Sequence, residues 1–233
     1  MEVSGMVKHS KFKNGKDKKS LPIALVPDLK FPPYPRNPVF NFLGRPKEEF
    51  DAYAGAFHRA AKTLADKMFS RAGIHDLDAC PIIFLYRHAF ELYLKSVVLR
   101  GSKLLRLSGK THMDDRVFLN DHSLIKLLPV LKLIFETVKW EWDFEKEGFR
   151  TYEDFCKLVN RLEGITSKSF AFRYPVSKNG ESYLPSGYGI DMRNFCESMD
   201  FALKLLDGAA TGLEEIWDVM AEEAYLNQME ALQ

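Results

Sequence analysis

The stretch Phe84-Leu85-Tyr86-Arg87-His88-Ala89-Phe90-Glu91-Leu92-Tyr93-Leu94-Lys95-Ser96-Val97-Val98-Leu99 decides the fold. It is apolar or aromatic almost throughout, and its charges, Arg87, Glu91 and Lys95, recur at i, i+4 and i+8. On a helix of 3.6 residues per turn that spacing gathers them on one face, with His88 beside them three residues before Glu91. A helix this apolar elsewhere belongs at the centre of a fold, where charges are costly unless paired. Two readings of the face stand. In one, Arg87–Glu91–Lys95 is an ionic ladder that satisfies itself, and His88 is a hydrogen-bonded core residue. In the other, Arg87, His88, Glu91 and Lys95 line a cleft that binds a phosphate or a base. The flanking Phe84, Leu85, Phe90, Leu92, Leu94, Val97 and Val98 leave little room for solvent, so a buried polar centre is expected.

Helical spacing continues on both sides of this segment, which is expected to span about 80–100 with Pro81 in its first turn. Upstream, Phe50, Tyr53, Phe57, Ala60, Leu64 and Met68 step by three and four residues from about 47 onward. Downstream, a third helix starts near His122 and carries Leu124, Leu127, Leu128, Leu131 and Phe135, with Pro129 expected to kink or split it. A fourth starts at Thr151, whose hydroxyl is placed to cap it, with Phe155, Leu158, Val159, Leu162 and Ile165 as its apolar face. The last pattern, from Met192 through Met199, Leu206 and Leu213 to Met220, is one long helix or two stacked ones, with Gly208 and Gly212 as weak points. Only 170–176 and 181–184 read as strand; they flank Lys178-Asn179-Gly180, and Asn-Gly favours a tight hairpin. The expected fold class is therefore all-α: a bundle of about five helices, with a small β-hairpin before the long C-terminal helix.

The 233 residues divide by composition into an arm, 1–45, and one helical domain, 46–233. Seven of the eleven prolines fall between Pro22 and Pro46, so that stretch is expected to run extended. The formal net charge of +1 hides an asymmetry: residues 1–20 hold six lysines against Glu2 and Asp17, whereas 205–233 hold seven acids and no lysine or arginine. A lysine-rich arm suits phosphate neutralisation, and equally suits a solubilising terminus. The longest apolar runs are a few residues, so no membrane partner is expected. The start, Met1-Glu2-Val3-Ser4-Gly5, has no apolar core of a secretory signal. Cys80, Cys156 and Cys196 are widely spaced with no CxxC pair, which points to reduced thiols, a cytoplasmic setting and no metal site. No Gly-rich phosphate loop, HExxH or GxSxG is present, and no cofactor is expected. Trp140 and Trp142 suit stacking on bases or, more commonly, anchoring a loop.

Three segments together carry a family resemblance over about 80–210. Residues 84–95, with Glu91-x-x-x-Lys95, resemble the second helix of HEPN-domain proteins. His122-Ser123-Leu124-Ile125-Lys126-Leu127-Leu128 is similar to that family's His-Asp-Leu-x-x-Leu-Leu segment. Phe172-Arg173-Tyr174-Pro175-Val176 resembles an Arg-Tyr-Pro element found in some members before the final helix. The resemblance implies a helical bundle that often dimerises, and RNA or nucleotides as partners. Many members are metal-independent ribonucleases of prokaryotic defence and toxin–antitoxin systems; others bind without cutting. Catalytic members carry an arginine followed four to six residues later by a histidine. Arg106…His112 and Arg116…His122 both fit that spacing, each with a leucine or valine after the arginine where the family usually has a polar residue. Arg116 and His122 are the preferred catalytic pair, because His122 opens a helix expected to pack beside Glu91. Arginine stabilises charge developing on a phosphate, and histidine moves protons near neutral pH. Glu91 would organise that site, with Arg87, His88, Lys95, Arg173 and Tyr174 as polar or nucleotide-binding neighbours. The alternative is a non-catalytic, dimerising interaction module or a subunit of a larger complex.

Overall fold

The computed structural model describes residues 49–71, 76–110, 119–165, 172, 179–182 and 189–230. The chain divides into two units, Met1–Phe42 and Leu43–Gln233, and everything described belongs to the second. The expected arm, 1–45, lies outside the described residues.

Five α-helices are bounded within the described residues: α1 (Phe50–Phe69), α2 (Ala79–Leu107), α3 (Leu128–Val138), α4 (Tyr152–Ile165) and α5 (Met192–Glu230). The central one is α2, which packs against α1, α3 and α5. Tyr86, Phe90, Leu94, Val97, Val98 and Leu105 are fully enclosed on it, each such side chain contributing about 1.5–3 kcal/mol on burial. It runs two turns beyond its expected end. There, Gly101 allows α3 to approach: a Cβ on Gly101 would fall 2.4 Å from Ile134 Cδ1.

The face that α1 buries differs from the expected one. Tyr53 and Leu64 are exposed, while Ala54, Ala61, Ala65 and Met68 are buried. Met68 is buried and Phe57 packs against the core as expected, while the alanines one residue after Tyr53, Ala60 and Leu64 take their places, about 100° round the helix. Small alanines let α1 lie close against the bulky α2, leaving the larger residues at the margin. Pro129 does not kink a helix either. A 3₁₀ turn, Ile125–Leu127, leads into α3, and Pro129 sits in the first turn of α3, where its missing N–H has no bond to break.

The N-terminus of α4 is capped as its sequence suggests, with the Asp154 N–H donating to Thr151 Oγ at 3.2 Å. Trp142 anchors the preceding loop, stacked on Phe135 at 4.4 Å and against Phe155 at 5.2 Å between ring centres. The final pattern is one continuous helix of 39 residues. Gly212 on it admits the Trp140 ring, which would lie 3.0 Å from a Cβ. The described residues contain no strand. Most of both flanks of the expected hairpin lie outside them, and what is described is the turn itself, with Gly180 at φ 79°. Among the described residues the fold is all-helical, and nothing in them supports the hairpin.

Candidate functional site

The polar face of α2 is buried, as the apolar flanks require. Side chains of Arg87, Glu91 and Lys95 are 6%, 4% and 4% exposed. Glu91 sits at the middle and uses both oxygens. Its Oε2 accepts from Arg87 Nη1 at 2.8 Å, and its Oε1 accepts from Lys95 Nζ at 2.9 Å. Oε1 also meets His122 Nδ1 at 2.8 Å. Burial pushes the Glu91 carboxyl up, but it is outweighed by the charge and hydrogen bond of Lys95, the hydrogen bond of His122 and the charge of Arg87. Together these hold the group below the usual carboxylate range.

The segment bearing His122 is tied down at several backbone points. Its carbonyl accepts from Arg87 Nη2 at 2.9 Å, and the Leu124 N–H donates to Glu163 Oε2 on α4 at 3.2 Å. Asp121 accepts the Ser123 N–H at 2.9 Å and pairs with Lys126, which with that backbone bond keeps its carboxyl below its ordinary range. Lys95 Nζ also reaches the Leu119 carbonyl at 3.3 Å. Two buried cations on α2 therefore hold both a carboxylate and the chain that carries the histidine. The His122 side chain itself is 66% exposed.

This arrangement fixes the ring's chemistry. An ionised carboxylate has no hydrogen to give, so Nδ1 donates to Glu91, and in the neutral ring the lone pair lies on Nε2. That nitrogen is the basic atom of the ring.

Other expected site residues fall elsewhere. Arg87 and Lys95 point inward to Glu91 and backbone carbonyls rather than into an open cleft, because a buried carboxylate needs them. His88 is set apart, edge-on to Phe57 at 4.5 Å and parallel to Phe84 at 5.8 Å. A one-residue step from Arg87 turns it about 100° toward α1. Arg116, Arg173 and Tyr174 lie outside the described residues, as does His112. Among the described residues no group of histidine, cysteine and carboxylate side chains is arranged to hold a metal.

A second polar cluster has no counterpart in the sequence pattern. Asp200 Oδ1 on α5 lies 2.7 Å from His58 Nε2 on α1 and accepts the Tyr86 hydroxyl of α2 at 2.8 Å. Lys62 Nζ is 3.8 Å from the other oxygen. Burial, then the bond to Asp200, raises the Tyr86 hydroxyl far above its usual value. Burial and the Asp200 charge push the Cys196 thiol up to about 11. The Asp200 partners are 142 and 114 residues away in sequence, beyond any periodicity signal.

No protein-family model, no curated protein and no solved structure matches this chain.

Proposed function

We propose that this chain is a HEPN-like protein that acts on RNA, with His122 as its proton-transfer group and Glu91 as the residue that orients it. One observation carries the reading: a histidine ring open to solvent, bonded through Nδ1 to a buried carboxylate that two cations hold ionised. That arrangement is what a general base needs, a basic nitrogen facing outward on a ring that cannot turn away. In RNA cleavage the Nε2 lone pair takes the 2′-hydroxyl proton and the 2′-oxygen attacks the adjacent phosphorus. The bond to the 5′-oxygen then breaks; that oxygen takes a proton from solvent water and Nε2 returns its proton to solvent, leaving a 2′,3′-cyclic phosphate and a 5′-hydroxyl. No metal takes part in this scheme. Arg116, six residues before His122, is assigned by the resemblance to the charge that develops on the phosphate.

The test is incubation of labelled single-stranded RNA with the purified chain in EDTA. Wild type cuts the strand, leaves the 2′-deoxy analogue intact, and loses about 10²–10⁴-fold in rate on His122→Ala. Intact RNA at protein excess, or equal cutting by His122→Ala, overturns the reading. The non-catalytic alternative is favoured by the first of those results if the RNA is nevertheless bound.

A further inference from the structure

Outside the Glu91–His122 cluster lies a cleft of about 750 Å³ between α4, the start of α5 and the loop that precedes α4. Its volume is within the range of small-molecule sites, roughly 300–1,000 Å³. From α4 it receives Asp154, Lys157, Leu158 and Arg161, spaced as one helical stripe; from α5 it receives Asn194 and Ser198, one turn apart. Arg150 and Glu147 come from the loop.

The charges in the cleft are unevenly matched. Lys157 donates to Asp154 at 3.0 Å, so that pair is internally neutral. Arg150 and Arg161 are exposed and have no hydrogen bond or ion pair among the described residues. Asn194 uses its carbonyl oxygen to accept from Ser198 at 3.3 Å, which leaves its amide hydrogens for another acceptor. The two helix starts contribute less, because Thr151 and Asp191 side chains already take backbone N–H groups there.

The loop wall is held in place before any ligand arrives. Phe149 is buried against Phe201 of α5, 4.8 Å between ring centres. The Lys146 ammonium lies 4.7 Å over the same Phe201 ring and donates to the Glu197 carbonyl at 3.1 Å. Gly148, at φ 79°, makes the turn between them. Arg150 therefore projects from an anchored turn. Two unpaired planar guanidinium groups lining one preformed polar cleft suit oxygen-rich acceptors, and phosphate is the common one.

We propose that this cleft is a phosphate-binding site, in which Arg150 and Arg161 hold the phosphodiester backbone of a single RNA strand and the Asn194 amide supplies a further donor. Its occupancy by RNA rests on the function proposed above, while its preference for phosphate stands on the cleft alone. It supplies the free cations that the Glu91 cluster lacks, since Arg87 and Lys95 are already bonded to Glu91. A phosphate site made of exposed arginines is a salt-sensitive anchor rather than a catalytic centre.

The experiment is fluorescence anisotropy of a labelled single-stranded RNA with full-length protein over a series of salt concentrations, for wild type, Arg150→Gln/Arg161→Gln and Arg150→Lys/Arg161→Lys. ADP binding by calorimetry forms a second arm. The glutamine pair is expected to weaken RNA binding about tenfold or more and to flatten the salt slope by about 1.4, the value for two lost contacts on a single strand. The lysine pair keeps the slope and recovers part of the affinity. RNA affinity and slope unchanged in the glutamine pair overturn the proposal. ADP binding that the glutamine pair loses, with no RNA binding by wild type, supports the phosphate site and overturns RNA as its occupant. Binding of neither ligand by wild type overturns the site altogether.

Discussion

His122 meets Glu91 at 2.8 Å and His58 meets Asp200 at 2.7 Å, yet the two pairs are built in opposite ways. In the first, the carboxylate is enclosed at 4% exposure and the histidine is 66% exposed. In the second, both partners are partly covered, at 16% for His58 and 23% for Asp200. Two cations from its own helix balance Glu91, so the carboxylate stays charged inside the core and still serves the histidine. Asp200 is met by a tyrosine hydroxyl and a histidine from two other helices, with Lys62 only at 3.8 Å. The Glu91 pair displays a ring to the outside. The Asp200 pair clamps α1, α2 and α5 together. Similar histidine–carboxylate contacts thus differ in which partner is buried, and only the Glu91 pair presents its ring to solvent.

The contrast breaks most readily at Glu91. Glu91→Gln leaves Lys95 buried without its counter-charge and Arg87 with Glu163 at 3.7 Å instead, and is expected to destabilise by about 3–5 kcal/mol. At roughly 2–4 °C per kcal/mol for a domain of this size, the melting temperature falls by some 6–20 °C. A melting point within a degree of wild type would remove the buried polar centre from the account. Asp200→Ala strands the Tyr86 hydroxyl and the His58 ring but no buried cation pair, so the expected loss is smaller, about 1–3 kcal/mol by urea unfolding. A larger loss than for Glu91→Gln would reverse the ranking of the two clusters.

Titration separates the same regions by direction. The Glu91 carboxyl lies below its ordinary value of 4.5 in the folded chain. Its contribution is therefore complete above 4.5 and disappears as pH falls through the lower folded value. Cys196, beside Asp200, is raised from 9.0 to about 11, so its contribution is complete below 9.0 and fades as pH rises through about 11. Denaturation followed across pH should show Glu91→Gln with a flattened acid limb and an unchanged alkaline one, and Cys196→Ser with the converse. An acid limb identical in Glu91→Gln and wild type would contradict the assignment. The smallest effect is expected at His122 itself. Its ring is exposed, so His122→Ala shifts stability by no more than about 0.5 kcal/mol in the same urea measurement.

How much of this was legible in the sequence follows the same division. Arg87, Glu91 and Lys95 lie on one helix at a fixed spacing, so their shared face and its burial can be read directly from residues 84–99. His122 meets Glu91 as its position before the next helix suggests, but from the loop ahead of the 3₁₀ turn rather than as the first residue of a helix. The Asp200 cluster is illegible, because Asp200 on α5 lies more than a hundred residues from both His58 and Tyr86 and forms no local pattern with them. On α1 apolar size alone points to Tyr53 and Leu64, whereas close packing against α2 favours Ala54, Ala61 and Ala65 beside Met68. The cleft beside α4 is likewise illegible in the sequence, since Arg150, Arg161 and Asn194 line it together only when the loop anchored by Phe149 is folded.

The central claim is that burial of Glu91 makes His122, and not His58, the proton-transfer group. The most direct measurement is the rate of RNA cleavage in EDTA by wild type, His122→Ala and His58→Ala, with the melting temperature of each recorded on the same preparation. The account predicts that His122→Ala loses about 10²-fold or more in rate with its melting temperature preserved, while His58→Ala keeps the rate at temperatures where it is folded and melts earlier. Cleavage undiminished in His122→Ala, or lost in folded His58→Ala instead, would contradict it.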